Sequence, residues 1–176
     1  MEKAAPIYLS YLKNHPRDRA LLRVIVRDRA FPADMAAAMA FALHPRLAAG
    51  GFEIGHIGGC VLLLKNSALF PWFLLVPEVE EGIEDLHQLE PGHYIEVMLA
   101  VRRVSEFVSS YYEPDKLNVA CIGNQVRQMH IHIVGRSSDD PAWPGTVWGF
   151  DGKKSLSLEE SEAIMAEARG FLKLDE

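Results

Sequence analysis

The stretch that most constrains the fold is Q-M-H-I-H-I at residues 128–133, where polar and apolar side chains alternate. Successive side chains of an extended chain point to opposite faces, and alternate residues are roughly 6.5 Å apart. Gln128, His130 and His132 therefore share one face of a predicted strand, and the apolar residues between them face a core. The wider stretch, residues 117–136, predicts two strands joined by a short polar turn that carries Asn124 and Gln125.

The composition is that of one globular domain. The chain has 176 residues, of which 49% are hydrophobic and 24% charged, and these values exclude a disordered or fibrous protein. The formal net charge is −6. Because a nucleic-acid polymer is held by neutralising its phosphates, this charge argues against such a partner, although a single nucleotide fits a local pocket.

Cysteine usage and the N-terminus indicate a cytoplasmic protein. Cys60 and Cys121 each lie in an apolar, strand-like run, so both are predicted to be reduced and buried. The sequence begins M-E-K-A-A-P, without an apolar run suited to a signal peptide, and the apolar segment at residues 36–43 is too short to span a bilayer. No membrane partner is expected.

The order of elements predicts an α+β fold. Residues 1–42 are predicted to form an N-terminal helical arm, 43–150 the catalytic domain, and 151–176 a C-terminal helix packed on that domain. Within the domain, three strands precede a long helix that starts at Pro91, and two strands follow it. The sequence therefore predicts a βββ-α-ββ antiparallel sheet of about five strands. The predicted strand positions are 52–57, 60–64, 72–76 and the pair within 117–136.

Two smaller patterns support the predicted helices. An apolar stripe of Ile95, Met98, Val101, Val104, Val108 and Tyr111 runs along the long helix. Ser157 and Glu160 have the spacing of a capping box that starts the last helix.

The paired histidines are suited to phosphoryl chemistry. A neutral imidazole is a competent nucleophile toward phosphorus, and His130 is central among the three polar side chains. His132 can hydrogen-bond a phosphate oxygen, and the backbone amides of residues 123–126 can form an anion nest. This chemistry requires no metal or cofactor. Two alternatives remain open for the dipeptide: histidines that simply face solvent or satisfy a backbone carbonyl, and a metal site that takes a third ligand from elsewhere, with His44 and His56 as candidates.

Several motifs carry a resemblance to a known family. Q-M-H-I-H-I-V-G-R at residues 128–136 resembles the motif of the histidine-triad (HIT) superfamily, in a bacterial-type variant with Gln-x-His-x-His in place of His-x-His-x-His. W-F-L-L-V-P at residues 72–77 resembles the family's apolar strand that ends in proline. D-D-P-A-W-P-G at residues 139–145 resembles a tryptophan-proline segment after the triad.

The resemblance implies a nucleotide-phosphate hydrolase or nucleotidyl transferase, usually a homodimer. His130 matches the nucleophile that forms a transient nucleotidyl-histidine, and His132 matches the histidine that contacts phosphate. Asn66 lies near a residue that meets the ribose, and Gln125 lies where a hydroxyl residue touches phosphate. Asn124 is grouped with these as a substrate-binding residue.

Two departures from the family pattern bear on activity. Gln128 replaces the first histidine, so it can orient a neighbour or bind phosphate but cannot take up a proton. Trp72 replaces another histidine that supports the nucleophile. Besides the covalent-histidine enzyme, two functions therefore remain open: a nucleotide-binding module with little turnover, and a metal-dependent enzyme that uses His130 and His132.

Overall fold

The structure, a computed structural model, describes residues 41–174. The predicted helical arm, residues 1–42, lies almost wholly outside this range and stays a prediction, as do the boundaries of the three predicted regions. In the described part of the chain, no helix is long and apolar enough to cross a bilayer.

A single antiparallel sheet of five strands forms the centre of the described residues, and its strand order is β1-β2-β3-β5-β4. The strands are β1 (Gly51–Ile57), β2 (Cys60–Lys65), β3 (Trp72–Pro77), β4 (Lys116–Ala120) and β5 (Ile131–Arg136). The helices are α1 (Pro45–Ala48), α2 (Pro91–Tyr112) and α3 (Leu158–Leu172), with 3₁₀ turns at Leu86–Gln88 and Val147–Gly149. The predicted α+β fold and its βββ-α-ββ order are confirmed.

Local sequence explains several boundaries. Gly58 and Gly59 connect β1 to β2 with φ angles of 55° and 68°, a left-handed pair that glycine adopts without strain. Pro91 occupies the first turn of α2, where its missing N–H costs nothing. The Ser157–Glu160 capping box at the start of α3 is present as predicted.

Each face of the sheet has its own apolar cluster. Helices α2 and α3 cover the first face, where Leu62, Phe73 and Ile133 are fully buried. The second face carries Leu63, Leu74 and Val134, packed with Leu47 of α1 and Val147 among others. Since Leu74 is directly opposite His132 in the β3–β5 register, the histidine lies on this second face.

The buried stripe of α2 differs from the prediction by a small rotation. Its buried residues are Val97, Ala100, Val101, Val104, Phe107 and Val108. The predicted members Met98 and Tyr111 are instead 38% and 43% exposed. Both sets fit a period of 3.6 residues, and contact with the sheet, which the helix sequence does not encode, selects between them.

The last strand also begins later than predicted. β5 starts at Ile131, so Gln128 and His130 precede it, and residues 121–130 form a long connection from β4 instead of a short turn. Pairing with β3 ends at Ile131 and pairing with β4 ends at His132. Residues before this point have no strand neighbour, so alternation alone does not make them a strand.

Arg136, at the end of β5, is a buried charge with a full set of partners. Its side chain is 2% exposed, and its Nε and Nη2 atoms donate to the two carboxylate oxygens of Asp140 at 2.7 and 2.9 Å. Nη1 donates to the side chain of Asn118 at 3.0 Å and to the carbonyl of Gly145 at 2.9 Å. The guanidinium carbon also lies 5.7 Å from the ring centroid of Trp143. This forked pair holds the pKa of Asp140 below its usual value and fixes the loop after β5.

Removing the anion from this pair should destabilise the fold. Asp140→Ala leaves a buried guanidinium without its counter-charge, so we expect the free energy of unfolding to fall by about 3–5 kcal/mol. Urea unfolding followed by circular dichroism measures the change. The matched control is Glu106→Ala, which breaks the exposed Arg102–Glu106 pair and should cost under about 1 kcal/mol. Equal losses in the two variants would contradict the role given to Arg136.

Candidate functional site

The two histidine rings meet at the start of β5, on the second face of the sheet. Their centroids are 4.8 Å apart, and the ring planes make an angle of 70°. The residues are 6% and 8% exposed, which is low for two titratable side chains. The structure therefore brings together His130 and His132 as predicted, in a partly desolvated setting.

The hydrogen bond of His130 defines which nitrogen is free. Its Nδ1 atom lies 2.7 Å from the backbone carbonyl oxygen of Gln128. Because a carbonyl oxygen only accepts, Nδ1 must carry the proton and donate. The neutral ring then has its lone pair on Nε2, the atom available for attack on an electrophile.

His132 has the opposite arrangement. The indole Nε1 of Trp72 donates to His132 Nδ1 at 2.9 Å, and because an indole N–H can only donate, Nδ1 must be unprotonated. Burial, the charge of His130 and that of Lys65 together lower the pKa of His132 from 6.5 to about 3. The ring is therefore neutral near pH 7, with its proton on Nε2, and acts as a hydrogen-bond donor there.

Trp72 thus has a role that the sequence did not reveal. His130 is held by a backbone carbonyl. Trp72 supports the other histidine, His132. The Trp72–His132 pair could be recognised in the sequence only if β3 and β5 were known to be neighbouring strands.

Trp148 completes the wall around His132. Its ring packs edge-on against His132, with centroids 5.5 Å apart, and against Trp72 at 6.1 Å. Its Nε1 atom is buried and has no hydrogen-bond partner in the described part of the chain. An unsatisfied buried donor costs about 1–3 kcal/mol, so the site contains an unused donor beside His132. Trp143 instead lies over Arg136, away from this wall.

Three side chains of the connection from β4 to His130 form hydrogen bonds or ion pairs with other segments. Gln128 accepts from the backbone N–H of His44 through Oε1 and donates to the carbonyl of Ala42 through Nε2, both at 2.9 Å. Gln125 accepts from Arg46 Nη2 at 3.1 Å. Arg127 forms a forked pair with Glu84, which lowers the pKa of that carboxyl. Side-chain bonds therefore replace strand pairing in ordering this segment.

The same connection contains backbone amides without a backbone acceptor. Gly123 has a φ of 64°, a left-handed conformation that is common in anion-binding turns. Within residues 41–174, the amides of Gly123, Asn124 and Gln125 donate to no backbone acceptor. The side chains of Asn124 and Gln125 are exposed.

Asn66 lies at the end of β2, where its Oδ1 atom accepts from the backbone N–H of Leu156 at 3.0 Å. This contact joins the β2–β3 connection to the segment before α3. Its ribose-binding role, inferred from resemblance, stays a prediction.

Metal ligation has little support from side-chain placement. Among the described residues, no group of three or more histidine, cysteine or acidic side chains is placed to hold an ion. His44 uses Nδ1 to cap α1, and His56 pairs with Glu78. Cys60 is buried as predicted, with its thiol pKa raised to about 12 chiefly by burial, whereas Cys121 is only half-buried.

Comparison with known proteins identifies relatives of the whole domain. Residues 51–139 match the HIT domain family. A histidine triad (HIT) protein from Sinorhizobium meliloti is 32% identical with a TM-score of 0.72, and the match covers 74% of this chain and 96% of that one. One from Marinobacter aquaeolei is 35% identical, with a TM-score of 0.73 and coverage of 77% and 98%. One from Bradyrhizobium japonicum is 32% identical, with a TM-score of 0.73 and coverage of 76% of this chain and 98% of that one. No curated protein matches the chain.

The protonation pattern of the pair can be tested by nuclear magnetic resonance. We expect long-range ¹H–¹⁵N spectra between about pH 5 and 8 to show His132 neutral throughout with its proton on Nε2, and neutral His130 with its proton on Nδ1. Trp72→Phe removes the donor to His132 Nδ1 and should allow the other tautomer to accumulate. A His132 that becomes protonated within this pH range would contradict the assignment.

Proposed function

Because this chain belongs to the histidine-triad (HIT) family, whose members bind nucleotide-type ligands, we propose that it is a nucleotide-phosphate hydrolase or nucleotidyl transferase acting through His130. The observation that carries the proposal is the complementary state of the two rings. His130 has a free lone pair on Nε2, because its Nδ1 donates to a carbonyl. His132 offers a proton on Nε2, because its Nδ1 accepts from Trp72. One ring attacks phosphorus, and the other donates to a phosphoryl oxygen.

In the first step, the His130 Nε2 lone pair forms a bond to the α-phosphorus, and the bond from phosphorus to the leaving group breaks with its electron pair. The ring becomes a positively charged nucleotidyl-imidazole. The hydrogen bond from His130 Nδ1 to the Gln128 carbonyl oxygen, with 2.7 Å between the two atoms, stabilises this charge. The His132 donor and the backbone amides of residues 123–126 stabilise the phosphoryl oxygens.

In the second step, water attacks phosphorus, the bond to Nε2 breaks, and its electron pair returns to the ring. The released proton passes to solvent, and the products are a nucleoside monophosphate and the free enzyme. A hydroxyl acceptor in place of water gives nucleotidyl transfer. Neither step routes electrons or protons through a metal or cofactor.

Gln128 acts in this proposal by position. Both polar atoms of its amide are bonded to the backbone of Ala42 and His44, and its own carbonyl holds His130. Gln128 therefore joins the segment at Ala42 and His44 to the nucleophile without exchanging a proton. Asn66, Asn124 and Gln125 are proposed as substrate contacts for the ribose and phosphate.

The proposal is tested by hydrolysis of adenosine phosphoramidate and diadenosine polyphosphates, with and without EDTA. His130→Ala should lower the rate by two or more orders of magnitude, about 3 kcal/mol of transition-state stabilisation. The exposed His93→Ala is the matched control and should leave the rate unchanged. EDTA should have no effect on either protein.

Each other outcome assigns the site to a different class. Activity that EDTA abolishes would place it among metal-dependent enzymes. Nucleotide binding without turnover of any substrate would make the protein a binding module. Full activity in His130→Ala would remove this histidine from the mechanism.

We further propose that the protein forms a homodimer through the β4 edge. β1 and β4 are the outer strands of the sheet, and an open edge is a template for pairing with another chain. On β4, Val119 is 47% exposed. We expect light scattering to give about twice the chain mass of 19.7 kDa, and Val119→Glu to shift the population toward monomer. Leu158→Glu, at a 70% exposed residue of α3, is the control, and a wild-type monomer would refute the dimer.

A further inference from the structure

The second face of the sheet carries a cation that the proposed mechanism does not use. Lys65 ends β2, and the β2–β3 register, in which Leu64 is opposite Phe73, places it beside Trp72. Its ammonium nitrogen lies 5.7 Å from the centroid of the Trp72 ring, the same ring that donates to His132. Lys65, Trp72 and His132 are thus three successive contacts on one face.

The Lys65 ammonium is partly desolvated, and it has no anionic partner within residues 41–174. The residue is half-buried, and burial lowers the pKa of its ammonium. None of the ion pairs between described residues includes it. Desolvating a cation without a counter-charge is unfavourable, so an arrangement of this kind next to reactive groups indicates a place for an anion.

The chemistry of the histidine pair independently restricts the leaving group. Gln128 cannot protonate it, and His132, whose pKa lies at about 3, is neutral near pH 7 and a poor acid. A departing amine needs a proton, whereas a departing phosphate leaves as a stable anion. The pair therefore suits a leaving group that carries its own negative charge and requires a cation instead of an acid.

We propose, on the basis of the proposed function, that Lys65 is a specificity-determining residue that binds the phosphate group attached to the attacked phosphoryl group. Strand β2 is two strands away from β5, roughly 10 Å in the backbone, so the ammonium over Trp72 is offset from the histidines. This offset suits a second anionic group better than the phosphorus under attack. When the phosphorus–oxygen bond breaks, the electron pair stays on the leaving phosphate, which the ammonium neutralises.

Calorimetry in the His130→Ala background separates binding from turnover. Lys65→Met should weaken binding of ADP and ATP by about 10-fold or more, the order expected for a charge-assisted contact. AMP lacks the second phosphate, so its affinity should fall by less than about threefold, and the affinity of adenosine should fall by less than about twofold. Lys65→Arg, which keeps the charge, should restore most of the ADP affinity. Lys153→Met removes an exposed lysine and is the matched control.

The outcomes distinguish this inference from the proposed function. Equal losses for adenosine and ADP would show that Lys65 only packs on Trp72 and would overturn the inference, while a large rate effect of His130→Ala would leave the function standing. Lys65-dependent ADP binding without any turnover would support the inference and remove the catalytic proposal. Failure of the protein to bind any of these nucleotides would overturn both.

Discussion

The hydrogen bond from Trp72 to His132 is the constraint on which the site depends. An indole N–H can only donate, so it fixes the lone pair of His132 on Nδ1 and the proton on Nε2. Burial of the same ring makes protonation costly, and His132 is consequently neutral near pH 7. A histidine in place of Trp72 would be able to donate or accept, and it would not impose one tautomer. The tryptophan thus converts a titratable residue into a fixed donor.

Gln128 and Trp72, which the resemblance places where the family has histidines, have related effects on the site. Gln128 gives up proton exchange, and its amide instead joins the segment at Ala42 and His44 to the residue whose carbonyl holds His130. Trp72 supports His132 through the hydrogen bond to its Nδ1 atom. Neither the Gln128 amide nor the Trp72 indole exchanges a proton, and each side chain instead makes hydrogen bonds of defined direction. His130, the proposed nucleophile, keeps Nε2 free of the hydrogen bond to Gln128, and neither Gln128 nor Trp72 can act as an acid.

The sequence predicted those parts of the structure that depend on local pattern. Alternation placed Ile131 and Ile133 in the core and the histidines together, and glycine pairs and prolines marked strand and helix ends. Contacts between distant positions were not predictable: Trp72 and His132 are 60 residues apart, and Gln128 and His44 are 84 apart. Arg136 was likewise missed, because its partners Asn118 and Asp140 come from a neighbouring strand and a following loop. The buried stripe of α2 was displaced for a similar reason, since only the sheet selects the helix face.

The charged groups near His132 are basic, whereas the chain as a whole has a negative net charge. The net charge of −6 disfavours an anionic substrate at long range, yet at physiological ionic strength surface charges are screened beyond about 8 Å. The charged groups that lower the pKa of His132 are His130 and Lys65, both basic. Interactions between partly buried charges are screened less than those between exposed charges. The net negative charge is therefore compatible with the proposed binding of a small polyphosphate, whereas it disfavours a long nucleic acid, which is held through many phosphate contacts.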